Sequence, residues 1–419
     1  MNRVRLCSCL LAFAAIISLG APARASWVFP AEYGYITTTQ LTGTFYGDPN
    51  HSHGHFSEPY VEQQSTGLYL VYFPDISVLG PAGTVQVSAI GNHGEYCKVG
   101  MWGTYDRYSE PEERGVYAYV ACFSASGSET NSLFSASYVR RDDLENNGVR
   151  FPGQETAYVF ASQPSSSSYT AFDKNVPNDF AYNSTGGSIL ISHTPGTGTY
   201  SVVLAGQNGF PDWPSPSVGG CDPQSGGTLE VTAYGFTNEY CKVASFTRRL
   251  GSTQVTVACF NGAGAPAESY FTLAYSTLSP TGSPSAAFAW AMQPSATAPY
   301  LVNDYYWRQI VNTGDGNTCP HCFTSAPPIS YFVRVTRSSQ GMYDVYFSEM
   351  DNDSGISSPH VNVTSFGSSS VRCEITNVMT GRPSPGSLGA HVYVGCYSTT
   401  GQPADQQFMV TYSSQQFNA

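Results

Sequence analysis

Lysine is almost missing from this chain: among 419 residues only Lys98, Lys174 and Lys242 are lysines, and charged residues make up 11%. Ordinary globular chains carry roughly 25% charge. The charges present are mostly acidic, 30 against 18 basic residues, for a formal net charge of −12. A surface of that sign repels phosphate backbones and anionic lipid, which argues against nucleic-acid and membrane-surface partners. Past the first 25 residues no apolar run approaches the roughly 18 residues a membrane span needs. No stretch of about 11 residues carries a helical apolar stripe. The motifs G-x-S-x-G, H-E-x-x-H and the phosphate-binding P-loop are absent too, so the sequence offers no familiar hydrolase, zinc-peptidase or nucleotide-binding signature.

Glycine, serine, threonine and tyrosine fill the deficit. With 14% aromatics the chain can bury a large core, which separates it from disordered polar sequences. Arg3 and Arg5 precede an apolar run over 6–19, and Ala23-Arg24-Ala25 is a small-x-small cleavage site. Residues 1–25 therefore read as a signal peptide, and the expected location is secreted, extracellular or periplasmic. Cleavage would remove Arg3, Arg5 and Arg24, leaving 15 basic against 30 acidic residues, −15. It would also remove Cys7 and Cys9, leaving nine of eleven cysteines.

The remaining sequence repeats three times. GLYLVYF (67–73), GTYSVVL (198–204) and GMYDVYF (341–347) form one strand; TVQVSAIG (84–91), TLEVTAYG (228–235) and HVNVTSFG (360–367) form the next. Two cysteine-bearing strands follow, YCKV to VACF twice and RCEI to VGCY once. LFSASY, YFTLAY and FMVTY close the units, and YGYITTTQ, AYVFASQPS and AFAWAMQPS open them. Tyr158 and Phe288 are 130 residues apart, so each unit is the size of a domain. Modules are expected at 26–139, 151–278 and 285–415. Tyr200, Val202 and Leu204 share one side of their strand, as do Leu229, Val231 and Ala233. The opposite sides carry Ser, Thr, Glu and Lys. That alternation predicts an all-β fold of three tandem antiparallel β-sandwich or small-barrel modules, each with one apolar and one solvated sheet face.

In a hairpin, facing residues share a constant index sum. The midpoints of Cys97 and Cys122, Cys241 and Cys259, and Cys373 and Cys396 fall inside YSEPEERG, RRLGS and GRPSPGSLG, all turn sequences. The cysteines of each pair should therefore face one another at about 4.5–5.5 Å between Cβ atoms, close enough for a disulfide in an oxidising compartment. Buried free thiols are the alternative.

GTYSVVL…GGTLEVTAYG…YCKVASF…VTVACFNGAGAPAESYFTLAY resembles a β-repeat family of secreted bacterial proteins from high-GC organisms. The resemblance covers most of the mature chain. It implies a secreted repeat fold and carries no activity or site residues with it.

Candidate chemistry lies between the opening strand and the G-x-Y strand. His51, His53 and His55 lie at i, i+2 spacing, a pattern that can share a transition metal, against a plain solvated loop set by Pro49, Asn50 and Gly54. Cys319-Pro320-His321-Cys322 has the form of a thiol-oxidase tetrapeptide. Its loop context lacks the helix that lowers a catalytic thiol, so a local Cys319–Cys322 bridge is the better reading. Cys221 has no evident partner. Tyr305, Tyr306 and Trp307 form an aromatic cluster that either stacks on sugar rings or caps a sandwich. Asp351-Asn352-Asp353-Ser354-Gly355 lacks the ligand set of a calcium loop and reads as a turn.

The expectation is a secreted protein without catalysis or cofactor, meeting an extracellular ligand or surface in binding, adhesion or surface structure. A carbohydrate- or metal-binding module array and an enzyme with an unrecognised site are the alternatives. The three loops 41–66, 166–186 and 296–330 differ most between modules, so any ligand is expected there.

Overall fold

Twenty-six strands and no helix make up the described part of the chain. The computed structural model describes residues 32–47, 52, 58–74, 76, 83–106, 114–140, 155–173, 180–207, 227–249, 251–277, 285–303, 307–310, 332–348, 350, 359–380 and 389–414. Module 1 holds β1 (Glu32–Thr37), β2 (Thr44–Tyr46), β3 (Tyr60–Ser65), β4 (Leu68–Pro74), β5 (Thr84–Ile90), β6 (Tyr96–Asp106), β7 (Arg114–Phe123) and β8 (Leu133–Arg140). Module 2 holds β9 (Thr156–Ala161), β10 (Ser168–Phe172), β11 (Ala181–Asn183), β12 (Ile189–Thr194), β13 (Thr199–Ala205), β14 (Thr228–Tyr234), β15 (Tyr240–Arg249), β16 (Ser252–Phe260) and β17 (Tyr270–Ser276). Module 3 holds β18 (Ser285–Ala291), β19 (Tyr300–Leu301), β20 (Trp307–Ile310), β21 (Val333–Ser339), β22 (Met342–Ser348), β23 (His360–Phe366), β24 (Arg372–Thr380), β25 (Gly389–Tyr397) and β26 (Gln407–Ser414).

The G-x-Y motif has a physical reason. Gly67, Gly198 and Gly341 have φ of 69°, 60° and 70°, and a Cβ there would meet the carbonyl oxygen of Cys122, Cys259 or Cys396 at 2.5–2.6 Å. Only glycine fits that approach. Each glycine carbonyl in return accepts the N–H of the same cysteine, at 2.7–2.8 Å. The tyrosine two residues on is buried and ties two loops together. Tyr69, Tyr200 and Tyr343 donate to the carbonyls of Leu41, Pro164 and Pro294, and accept the N–H of Ser132, Ser269 and Gln406. The disulfides Cys97–Cys122, Cys241–Cys259 and Cys373–Cys396 join residues paired directly across their hairpins.

Each module is a sandwich. In module 1, Ile36, Val87 and Ala136 from β1, β5 and β8 pack on Val61, Val71, Val99 and Val120 from β3, β4, β6 and β7. No sheet stops at a module boundary, however. The three sheets run β1-β8-β5-β24-β25-β22-β21-β19, β11-β9-β17-β14-β6-β7-β4-β3-β2 and β10-β12-β13-β16-β15-β23-β26-β18-β20. Each therefore joins the opening strands of one module to the cysteine hairpin of another: 1 to 3, 2 to 1, and 3 to 2. The modules close on one another cyclically.

Every seam has the same construction. A single parallel bridge links Ile90 to Ile375, Tyr234 to Val99, and Phe366 to Val243. Gly91, Gly235 and Gly367 then donate their N–H to the carbonyls of Ile375, Val99 and Val243 at 2.8–2.9 Å. The receiving strand has a register shift immediately after that residue, at Val99/Met101, Val243/Ser245 and Ile375/Asn377. A bulge bends and twists a strand, which turns the cysteine hairpin away from the incoming strand.

Side chains lock the seams unequally. Trp102 of module 1 meets Phe160 and Tyr234 of module 2 at 5.3 and 5.5 Å between ring centroids. Trp290 of module 3 meets Phe246 of module 2 at 4.9 Å and donates its indole N–H to the Gly227 carbonyl at 2.9 Å. At the seam of modules 1 and 3, Ile90 packs on the module 3 core and the Tyr35 ring lies 5.1 Å from that of His360.

The cyclic closure corrects one expectation. The polar sides of the TVQVSAI, TLEVTAY and HVNVTSF strands do not face water: Gln86, Glu230 and Asn362 are each 3% exposed or less. Period-2 alternation reports polar against apolar surroundings, and here the polar surroundings are the other two modules.

Trp290→Ala should cost about 3–5 kcal/mol, because it empties a core position and orphans the Gly227 carbonyl. Since Trp290 belongs to module 3 and lies in the module 2 core, both modules should lose stability in one transition. Urea unfolding followed by circular dichroism checks this, and a fragment of residues 151–278 alone should show no cooperative transition.

Candidate functional site

Three strands, β5, β14 and β23, are buried on both faces. Their apolar faces fill the modules and their polar faces meet along the axis between modules. Thr232 Oγ1 donates to Gln86 Oε1 at 2.8 Å and accepts the Val87 N–H at 3.2 Å. Ser88 Oγ accepts the Val363 N–H at 2.9 Å. Asn362 Nδ2 donates to Ser137 Oγ and Glu230 Oε1 at 3.3 and 3.4 Å, and Thr411 donates to that same oxygen. Ser135 Oγ lies 2.9 Å from His360 Nδ1. Every one of these bonds crosses a module boundary.

Burial without a counter-charge shifts the two titratable groups here. Glu230 is pushed up to about 7, with the Thr411 and Asn362 hydrogen bonds pulling the other way. His360 is pulled down to about 3 by burial alone, so it is neutral at ordinary pH. Small cavities adjoin this layer. One of about 20 Å³ is bordered by Glu230, Gln86, Ser137 and Thr156.

A second cavity, of about 60 Å³, lies where the three seams converge. Its walls are equivalent segments of the three modules: Val87–Ala89, Val231–Ala233 and Val363–Ser365, with Tyr96–Lys98, Tyr240–Lys242 and Arg372–Cys373. Here the third repeat departs from the first two. Tyr96 and Tyr240 each donate to a carbonyl of the next module, Asn238 and Ser370, at 2.6 Å. Arg372 stands in the third place, bonds the Ala125 carbonyl at 2.6 Å, and sets its guanidinium 4.2 and 4.6 Å from the two tyrosine rings. That is cation–π range.

The next slot repeats the pattern. Lys98 Nζ donates to the Thr237 carbonyl at 2.8 Å with Glu239 at 3.6 Å. Lys242 Nζ donates to the Ser369 and Val371 carbonyls at 3.0 and 2.8 Å. Burial pulls Lys98 down to about 8, against the raising effect of Glu239, and Lys242 down to about 7. Glu374 fills the third slot with the reverse sense, accepting the Gly94 N–H at 3.0 Å. Burial, with Glu95 beside it, holds Glu374 well above the usual carboxylate range.

Most residues singled out by sequence lie elsewhere. His51, His53, His55, Tyr305, Tyr306, Cys221, Cys319, Cys322 and the 351–355 turn fall outside the described residues. Ser52, inside the histidine triplet, is buried and accepts the Thr37 N–H at 3.2 Å. Trp307 is 5% exposed and packs in the module 3 core on β20, so it is a packing residue in this fold. Among the described residues no group of three or more His, Cys, Asp or Glu is placed to hold a metal. Sequence reasoning passed over Lys98, Lys242, Arg372, Glu374 and Glu230. One signal for them was available: two of only three lysines occupy the same motif slot, which a random surface would not arrange.

The strand directions also place the loops. In module 1 the chain leaves β2 at Tyr46 and re-enters at Tyr60, which pairs with Tyr72 near the end of β4. In module 3 it leaves at Ile310, paired with Ala286, and re-enters by Val333, paired with Phe347. In module 2 the segment 166–186 reaches the seam itself, where Phe180 meets Trp102 at 5.6 Å between ring centroids. No family model, curated protein or solved structure matches the chain.

Glu230 gives a pH test. Its folded value lies above the ordinary 4.5, so its contribution is fully present below pH 4.5 and is lost as pH rises through about 7. Glu230→Gln keeps the shape and removes the titration. The variant should gain on the parent by about 1.4 kcal/mol per pH unit across that window and be the more stable protein at pH 8. Urea midpoints at pH 4.5, 6 and 8 measure it.

Proposed function

We propose that this chain is an exported, non-catalytic β scaffold that acts in extracellular binding, adhesion or surface structure. The carrying observation is that the buried titratable groups are engaged in contacts between modules. Glu230, His360, Lys98, Lys242, Arg372 and Glu374 each bond or face a residue of a different module. Groups arranged for catalysis would converge on a substrate-sized pocket of several hundred Å³, whereas the cavity that Lys98, Lys242 and Arg372 border measures about 60 Å³. The disulfides support export, since they persist in oxidising compartments. No helix among the described residues is long and apolar enough to cross a membrane. The resemblance to secreted bacterial β-repeats points the same way.

Recognition is assigned to the segments that differ between modules, 41–66, 166–186 and 296–330. A constant scaffold with dissimilar loops is a common arrangement for binding proteins. The test is replacement of 47–58 and of 311–331 by Gly-Ser turns in the full chain, followed by screening against glycan arrays, transition-metal ions and cell surfaces. The first replacement removes the buried Ser52 and its bond to Thr37, so a modest fall in Tm is expected there, but both variants should still melt cooperatively while binding to whichever ligand the parent retains falls at least tenfold. Unchanged binding would place recognition elsewhere. No binding by the parent would favour a purely structural role.

A further inference from the structure

Three basic side chains border the 60 Å³ cavity at the seam convergence. Its ionisable lining consists of Lys98, Lys242 and Arg372, alongside the Tyr96 and Tyr240 rings, and no carboxylate borders it. Of the nearby carboxylates, Glu95 and Glu239 are about one-fifth exposed on the loop side of the seams; Glu374 is buried two residues along from Arg372, accepts the Gly94 N–H, and is held by burial well above the usual carboxylate range. Arg372 is 5% exposed and uses Nη2 for the Ala125 carbonyl, while its Nε and Nη1 are buried without a hydrogen-bond partner. Lys242 is 2% exposed, and the bonds of its Nζ go to two neutral carbonyls. An ammonium has three donors. Burying such groups without a counter-charge is costly, and a compact anion removes that cost.

We propose that this cavity is a binding site for one small inorganic anion of the halide class, held by Lys242 and Arg372. The volume suits it: a water needs about 10–15 Å³ by the same measure, so the cavity takes one such ion with a few waters. The location suits a spherical ion as well, because three equivalent segments approach it from three modules. Lys242 comes from module 2 and Arg372 from module 3, so the bound anion is a clamp across a seam. The inference is independent of the proposed loop recognition, since none of the cavity's lining residues belongs to 41–66, 166–186 or 296–330.

The probe is bromide. Crystals of the unmodified full chain grown in sodium bromide should show an anomalous peak inside the cavity, within about 3.5 Å of Lys242 Nζ and of an Arg372 nitrogen. In solution, replacing gluconate by bromide or chloride at constant ionic strength should give a saturable rise in Tm, on the order of 2 °C at ten times the dissociation constant. Arg372→Tyr gives the third module the residue the other two carry. It should abolish that rise while the protein still melts cooperatively. Bromide found only on the outer surface, or a halide-dependent rise of equal size in Arg372→Tyr, overturns the proposal. If Arg372→Tyr fails to fold, the anomalous map of the unmodified protein decides alone.

Discussion

The N–H of a glycine at the end of one module's strand meets a carbonyl just ahead of a bulge in another module's hairpin, and this happens three times. That hydrogen bond fixes where each sheet crosses from one module to the next. The bulge behind it turns the receiving hairpin, so the crossing is a single bridge instead of a long ladder. Because the crossing is repeated cyclically, β5, β14 and β23 end up covered on both faces. Their polar side chains must then find partners in the neighbouring modules, and Gln86, Glu230 and Asn362 do so.

The strands, their order and the cysteine pairing were legible in the sequence because they are local. Alternation, turn residues and a shared index sum depend on nothing outside one module, and LFSASY, YFTLAY and FMVTY fall on β8, β17 and β26 as read. The short strands β2, β10, β11, β19 and β20 were missed inside the dissimilar segments, as were β3 at the end of one and β12 and β21 just after the others; YVEQQS and VRVTRSS carry few apolar residues to mark them. The seams were not legible, for a different reason. An alternating strand packed on another polar strand reads the same as one facing water. Trp290 shows the same limit. It reads as a core residue of module 3, and nothing in AFAWAMQPS says that it fills module 2.

The seams also differ in kind. Two are closed by aromatic clusters around Trp102 and Trp290. The third joins the first module to the last with Ile90 on the module 3 core, a Tyr35–His360 ring contact, an arginine between two tyrosines, and a glutamate in the lysine slot. Linker segments connect modules 1 to 2 and 2 to 3, whereas closure of 3 on 1 relies on non-covalent contact alone. The seam without a chain connection is thus the one whose side chains depart from the repeat.

A ring assembled from three identical subunits would carry the same residue at all three axial positions. Three arginines there would repel one another, and three tyrosines would leave no cation. Encoding the three units in one polypeptide frees each position to mutate alone, and Arg372 uses that freedom: one guanidinium lies against two phenol rings at a point where symmetry would forbid the combination. Covalent tandem repetition in this chain is therefore a means of writing an asymmetric centre into a threefold framework.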